Sequence, residues 1–252
     1  MAIRTVVIDA PSGQAEYGVG GGITWDSSSH GEYEECRAKA RVLEVRRERY
    51  DLLETLRFEA DEGLLFLDRH LERLAGSAEY FGFAYDEGAV RKELDAAVES
   101  AGGPLRVRLL VSRDGTVRVE TAPAPPPLGR PVRLAVHPEP VDPADPLRYH
   151  KTTLRAPYER VAAAHPWADD VVLVNDRGEA VETTIANLAV RIGGRWWTPP
   201  LAAGCLPGVY RGALLADGTL AERPIPVEEL GHAEAVAVLS SVRLWWPATL
   251  GS

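Results

Sequence analysis

The chain has 252 residues, 45% of them apolar and 26% charged, with a formal net charge of −9 at pH 7. That size and composition suit a globular protein with a core of its own and exclude collagen, coiled coil or disorder as the main architecture. The acidic balance speaks against a nucleic-acid partner, and no run approaches the ~18 uncharged apolar residues of a membrane span.

Residues 3–9 read as a short β-branched strand and Pro11–Gly13 as a turn. A second strand over 16–25 is interrupted by Gly18, Gly20, Gly21 and Gly22. Asp26–Ser29 caps a polar helix over 31–45, and Arg46–Arg49 marks a junction. Tyr50–Arg57 reads as a strand, followed by a turn at 61–63 and a short strand over Leu64–Leu67. Asp68 is the expected cap of a helix to Phe81, with Leu67, Leu71, Leu74, Ala78 and Phe81 at helical spacing. Gly82 ends it, and Asp86 caps another helix carrying Val90, Leu94 and Val98 on one face.

Leu105–Ser112 and Thr116–Thr121 form a hairpin around Arg113-Asp114-Gly115. The stiff Pro123–Pro127 stretch cannot sit inside a sheet. Pro131–His137 returns as a strand, and the Pro/Asp-rich residues 138–147 mark a second junction. A helix over 155–164, a strand over Asp170–Val174, a turn at 175–178 and one long strand over Ala180–Ile192 follow. Arg195–Thr198 is another short strand, Pro207-Gly208 opens a helix to Ala216, and Ala235–Leu239 is the last clear strand. The expected division is 1–45, 46–145 and 146–252, and the alternation of elements gives an α/β (α+β) fold.

Two cysteines make no disulfide framework, and the six histidines never pair at ligand spacing, so no metal site is expected. The start lacks the long apolar run of a signal peptide, which favours a cytoplasmic location. Of the 28 basic residues three are lysines, Lys39, Lys92 and Lys151, leaving 28 − 3 = 25 arginines. Lys151 stands beside hydroxyls and Arg155 ahead of a helix. An amine there can attack a carbonyl or carry pyridoxal phosphate, and it can equally be a solvated surface group. Glu182 lies inside an apolar, Thr-rich strand, where it needs a cation or faces water from an edge. The Pro207-Gly208 helix start leaves the amides of Val209 and Tyr210 open to a phosphate, or is a plain cap. Arg106 and Arg108 share one side of a strand, as candidates for a substrate carboxylate or as a solvated face.

Several segments together carry a resemblance. They are Leu53-Glu54-Thr55-Leu56-Arg57, Asp68–Leu74, Lys151-Thr152-Thr153-Leu154-Arg155, Glu182–Leu188, Leu206–Arg211 and Ser240-Ser241-Val242. In order and spacing, residues ~50–252 resemble the fold-type IV pyridoxal-phosphate enzymes, which have a two-subdomain, D-amino-acid-aminotransferase-like architecture. Within that group the Leu-Glu-Thr-Leu-Arg and Lys-Thr-Thr forms look most like the 4-amino-4-deoxychorismate lyases. The resemblance implies pyridoxal 5′-phosphate carried by the catalytic Lys151, with Glu182 pairing to its pyridine nitrogen. Its phosphate would be held by Arg73, the amides of Val209 and Tyr210, and the Ser241 hydroxyl. It also implies a homodimer. Leu154 and Ser240 stand where asparagine is usual in the lyases, which bears on the substrate more than on the cofactor.

The implied reaction is conversion of 4-amino-4-deoxychorismate to 4-aminobenzoate and pyruvate. The alternatives are a class IV aminotransferase of branched-chain or D-amino acids, and a non-catalytic descendant that binds a metabolite or partner. Residues ~1–45, with Tyr17–Ser27 and Glu32–Ala40, are similar to the C-terminal end of a chorismate-binding domain, as in aminodeoxychorismate synthase component I. That similarity implies a separate synthase as a possible partner.

Overall fold

The computed structural model describes residues 5–40 and 48–251. The chain divides into two compact units, residues 1–49 and 50–252. In the first, β1 (Val6–Asp9) and β2 (Gln14–Tyr17) form an antiparallel hairpin, followed by α1 (Ser29–Ala40). The expected strand over 16–25 is restricted to 14–17. The glycine-rich residues beyond it offer no side chains to pack on a sheet surface. The expected residues 3–4 of the first strand, 41–45 of the helix and most of the 45–49 junction lie outside the described residues.

The second unit holds two sheets. The smaller has the strand order β4-β3-β5-β6, built from β3 (Leu52–Glu59), β4 (Gly63–Leu64), β5 (Leu105–Val111) and β6 (Val117–Pro123). Between β4 and β5 come α2 (Leu67–Phe81) and α3 (Glu87–Val98). Strand alternation sends Leu52, Leu56, Val107, Leu109 and Val111 to one face, where they pack on Leu71, Leu74, Ala78, Val90 and Leu94. Helical periodicity supplies those helix positions, and burial of such side chains is the main stabilising term of this layer. Asp86 caps α3 as expected, accepting from the Ala89 amide at 3.2 Å. Asp68 does not cap α2. The cap position is Phe66 (φ 56), with no side-chain bond, and Asp68 lies in the first turn, where it pairs with Arg91 at 2.7 Å.

The larger sheet has eight strands in the order β12-β11-β10-β13-β14-β7-β8-β9. Its members are β7 (Val132–Val136), β8 (Asp170–Val174), β9 (Ala180–Thr183), β10 (Asn187–Ile192), β11 (Arg195–Thr198), β12 (Ala221–Glu222), β13 (Ala235–Ser240) and β14 (Leu244–Leu250). α4 (Ala156–Ala163) precedes β8, and α5 (Val209–Ala216) follows β11. α5 packs its Leu214 on Ala189, Ala237 and Leu239, while Leu188, Val190, Val236 and Val238 line the opposite face. The chain leaves the small sheet at Pro123 and enters the large one at Val132, ahead of the expected junction at 145/146.

Two further differences from the sequence reading bear on the site. The expected single strand over 180–192 is broken, because the Thr183 hydroxyl donates to the Ala186 carbonyl and accepts from its amide, making a tight turn. β14 escapes the reading because Pro247 argues against an interior strand. Its pairing with β7 begins only at Ala248, so the missing N–H costs no bond on that side. Among the described residues no helix is long and apolar enough to cross a membrane, and no cluster of three His, Cys, Asp or Glu is placed to hold a metal ion.

Candidate active site

Lys151 is fixed by backbone pairing between the two sheets. Its carbonyl accepts from the Leu53 amide at 3.0 Å, and the Thr153 amide donates to the Asp51 carbonyl at 3.0 Å, so this segment extends the small sheet beside β3. The neighbouring His150 meets the Ser77 hydroxyl at 2.9 Å and stacks on Tyr80 with ring centroids 4.6 Å apart, which ties the segment to α2. The charges of Arg73, Glu54, Arg155 and Glu182 all act on the lysine amine. Burial and the Arg73 charge lower its amine to about 8, against the opposing pull of Glu54 and Glu182. An amine at that value is half neutral at pH 8 and can act as nucleophile or base.

Glu182 reaches the same region from β9. Its Oε2 accepts from the Leu206 amide at 3.1 Å and from Asn187 Nδ2 at 3.4 Å, while Arg148 Nη2 stands 3.4 Å from Oε1. The Thr183–Ala186 turn is what sets Asn187 beside Glu182. Burial raises the Glu182 carboxyl to about 7, and Arg148 only partly offsets it. A carboxyl so placed binds either a proton or a cationic group.

Arg73 projects from α2 and is held by a second buried carboxylate. Its Nε and Nη2 donate to Glu54 at 2.8 and 2.6 Å, and its Nη1 donates to the Pro207 carbonyl at 2.9 Å. His70 Nδ1 meets Glu54 at 2.7 Å, and His70 Nε2 is buried without a partner. Burial would raise the Glu54 carboxyl, but Arg73 and His70 together outweigh it and hold it down at about 2. The Pro207 contact brings Arg73 to the loop that opens α5. No side chain caps that helix, so its first amides, Val209 and Tyr210 among them, have no partner inside the helix. Gly208 is required there, since a Cβ would lie 1.7 Å from Asn187 Oδ1. Ser241 is buried in the turn that follows β13.

Lys151, Glu182 and Arg73 are therefore brought together, with the α5 start beside Arg73. Arg108 is taken up by Glu120 of the adjacent strand at 3.1 Å, whereas the exposed Arg106 has no ion-pair partner among the described residues. The sequence reading missed Glu54, His70, Arg148 and Asn187 as members of the site. Glu54 carried a readable signal, because it alternates with Leu52 and Leu56 on the buried side of one strand. Arg148 carried none, since its partner lies 34 residues away, and Asn187 lies five residues from Glu182 but meets it only through the turn at 183–186.

Residues 51–250 match the amino-transferase class IV family. The chain belongs to that family. Residues 1–44 match the chorismate binding enzyme family. This class IV chain is 31% identical over 205 residues to a Schizosaccharomyces pombe protein named "Putative aminodeoxychorismate lyase", covering 78% of this chain and 87% of the relative. The crystal structure of a "Putative amino-acid aminotransferase" from Mesorhizobium loti aligns with a TM-score of 0.77 at 34% identity, over 80% of this chain and 100% of that one. A "Putative 4-amino-4-deoxychorismate lyase" from Legionella pneumophila shares the fold at 22% identity, with a TM-score of 0.67 over 83% and 84% of the two chains.

The residues present fit pyridoxal phosphate. A buried carboxyl whose desolvation Arg148 only partly offsets suits a pyridinium nitrogen, the open helix start beside Arg73 suits a phosphate, and a lysine with a lowered pKa suits an aldehyde.

Proposed function

We propose that this class IV chain is a pyridoxal-phosphate-dependent lyase that converts 4-amino-4-deoxychorismate to 4-aminobenzoate and pyruvate. The observation that carries the reading is one buried cluster that holds Lys151, Glu182 and Arg73, with Glu182 on the Leu206 amide and Arg73 on the Pro207 carbonyl beside the open start of α5. The name of the fission-yeast relative supports the choice of reaction.

When bound, pyridoxal phosphate supplies an electron sink for charge left on the carbon that bears the substrate nitrogen. Arg73, the Val209 and Tyr210 amides and the Ser241 hydroxyl would bind the phosphate. Glu182 would keep the pyridine nitrogen protonated, exchanging its own unfavourable burial for an ion pair. Lys151 Nζ would hold the cofactor through its aldehyde, and the free amine would take the proton from the carbon bearing the substrate nitrogen. Loss of that proton would let the ring become aromatic as enolpyruvate departs with its ether oxygen and the bonding electron pair, and a proton then converts the enolpyruvate to pyruvate. Positioned proton transfer of this kind contributes ~10²–10⁴-fold in rate. Of the two arginines expected to meet the substrate carboxylate, Arg106 is the one free to do so.

The proposal includes a cytoplasmic homodimer. The two free cysteines, Cys36 and Cys205, suit a reducing compartment, and the dimer rests on the family resemblance. The chorismate-binding match at residues 1–44 supports a separate synthase as partner.

The test is to mix the protein with 4-amino-4-deoxychorismate and pyridoxal phosphate and follow 4-aminobenzoate and pyruvate. Equimolar products, absent with Lys151→Ala, are expected; no product from the wild-type protein overturns the reading. The 34% identity to the Mesorhizobium protein favours a second reading, an amino-acid aminotransferase. Accumulation of pyridoxamine phosphate on incubation with an amino acid would select it.

A further inference from the structure

Arg57 of β3 stands directly across from Arg106 of β5 on the face of the small sheet turned away from α2 and α3. Like charges in such a pair destabilise a sheet unless something neutralises them. Arg57 is neutralised, donating Nε to Glu59 and Nη1 to the Val242 carbonyl at 2.9 Å. Arg106 makes no hydrogen bond or ion pair through its guanidinium among the described residues.

The Val242 bond brings the turn between β13 and β14 against this face, and the next residue is Arg243. Its guanidinium lies 4.3 Å from the Trp246 ring centroid and is half-buried, again with no hydrogen bond or ion pair among the described residues. Leu244 beside it has φ 57, a left-handed conformation that costs a leucine energy, so the turn is held against local preference. Burial and the Arg106 charge both lower the Arg243 pKa, while Asp170 works the other way. An unpaired cation of the small sheet and one from the turn that leaves the large sheet thus lie close enough to feel each other's charge.

Together with Ser240, Asp170, Val238, Trp246 and Asp169, which is already ion-paired with Arg130 and Arg133, Arg243 also lines a cavity of about 30 Å³. That is room for two or three water-sized atoms, the bulk of one carboxylate. Asp170 is buried, and its Oδ2 has no partner among the described residues. Burial raises its carboxyl above the usual range, which lowers the cost of placing an anion nearby. The cavity adjoins the catalytic region, because the Thr184 hydroxyl donates to Asp170 at 2.6 Å while its carbonyl accepts from Arg155, a neighbour of Lys151.

We propose that Arg243, with Arg106, binds a substrate carboxylate remote from the reacting carbon, and so selects ring acids over simple amino acids. The inference rests on the lyase reading and adds the residue that enforces its specificity. A carboxylate across a six-membered ring from its amine stands further from that nitrogen than an α-carboxylate, so it is the one able to meet cations outside the Lys151 cluster.

The test measures 4-aminobenzoate binding by calorimetry to wild-type protein, Arg243→Met and Arg106→Met, each shown folded by circular dichroism, with aniline as the carboxylate-free control. Met keeps apolar contact with Trp246 and removes the charge. We expect each variant to weaken 4-aminobenzoate at least tenfold and to leave aniline unchanged. In turnover, Arg243→Met should raise KM for the ring substrate more than it lowers kcat. Equal 4-aminobenzoate affinity in Arg243→Met and wild type overturns the inference even if the wild type forms product. Loss of that binding in a protein that makes no 4-aminobenzoate would sustain the carboxylate site and sink the lyase reading.

Discussion

Replacing Glu182 with Gln removes one titration from the protein without the cofactor and leaves a neutral group of the same shape. In the fold this carboxyl is raised from 4.5 to about 7, burial outweighing Arg148 and the Leu206 amide. Each pKa unit is worth ~1.4 kcal/mol, so the shift corresponds to about 3 kcal/mol. A group whose folded pKa is raised binds its proton more tightly folded than unfolded. Its contribution is therefore fully present below 4.5 and is lost as pH climbs through 7. Between pH 5 and pH 8 the wild-type protein should lose 2 to 3 kcal/mol (about 3 at most) from this residue. Glu182→Gln should not, because its amide carries no proton to release. Urea unfolding of both proteins, stripped of cofactor, at pH 5 and pH 8 measures the difference; titrating groups remote from Glu182 are common to both and cancel. Identical pH dependence in the two proteins would refute the account of Glu182 as a buried carboxyl awaiting a cation.

Lys151 gives a pH test of its own. Reductive methylation without cofactor, quantified at this residue by peptide mass spectrometry, should rise with a midpoint near pH 8, and a midpoint above pH 10 would contradict the lowered amine. Gly208→Ala should displace Asn187, whose Oδ1 stands 1.7 Å from the added Cβ. The cost is about 1–3 kcal/mol in thermal unfolding, together with weaker pyridoxal-phosphate uptake read by absorbance. Glu54→Ala leaves Arg73 and His70 without their shared carboxylate and should cost about 3–5 kcal/mol in urea unfolding. A loss below 1 kcal/mol would show that the buried cluster is not a stabilising unit. Leu94→Ala in the layer between α3 and the small sheet should cost about 2–5 kcal/mol and leave the affinity for pyridoxal phosphate unchanged.

Much of the fold was legible because the patterns are local. The Leu71, Leu74 and Ala78 stripe and the Asp86 cap reflect contacts within a turn or two of chain, and the structure places both as read. The break at 184–186 was hidden because Thr183 and Thr184 are good strand residues, and only the hydroxyl bonds of Thr183 turn the chain. β14 was hidden by Pro247, acceptable only because of where the pairing with β7 starts. Among the site residues, Lys151 stood out by the scarcity of lysines and Glu182 by its apolar neighbours. Glu54 showed the same signal two residues from Leu52, and its meaning needed Arg73.

The sequence by itself determined which chemistry was available: one amine in the segment beside Arg155, carboxylates inside apolar strands, and a glycine opening a helix. Those are properties of residue type and of spacings a few residues long. The tertiary structure alone decided the pairings and hence the charge states, since Glu182 and Arg148 are 34 residues apart and Arg73 and Pro207 are 134 apart. Desolvation and Coulomb forces depend on distance in space and on what has been removed from water. Neither quantity is written along the chain.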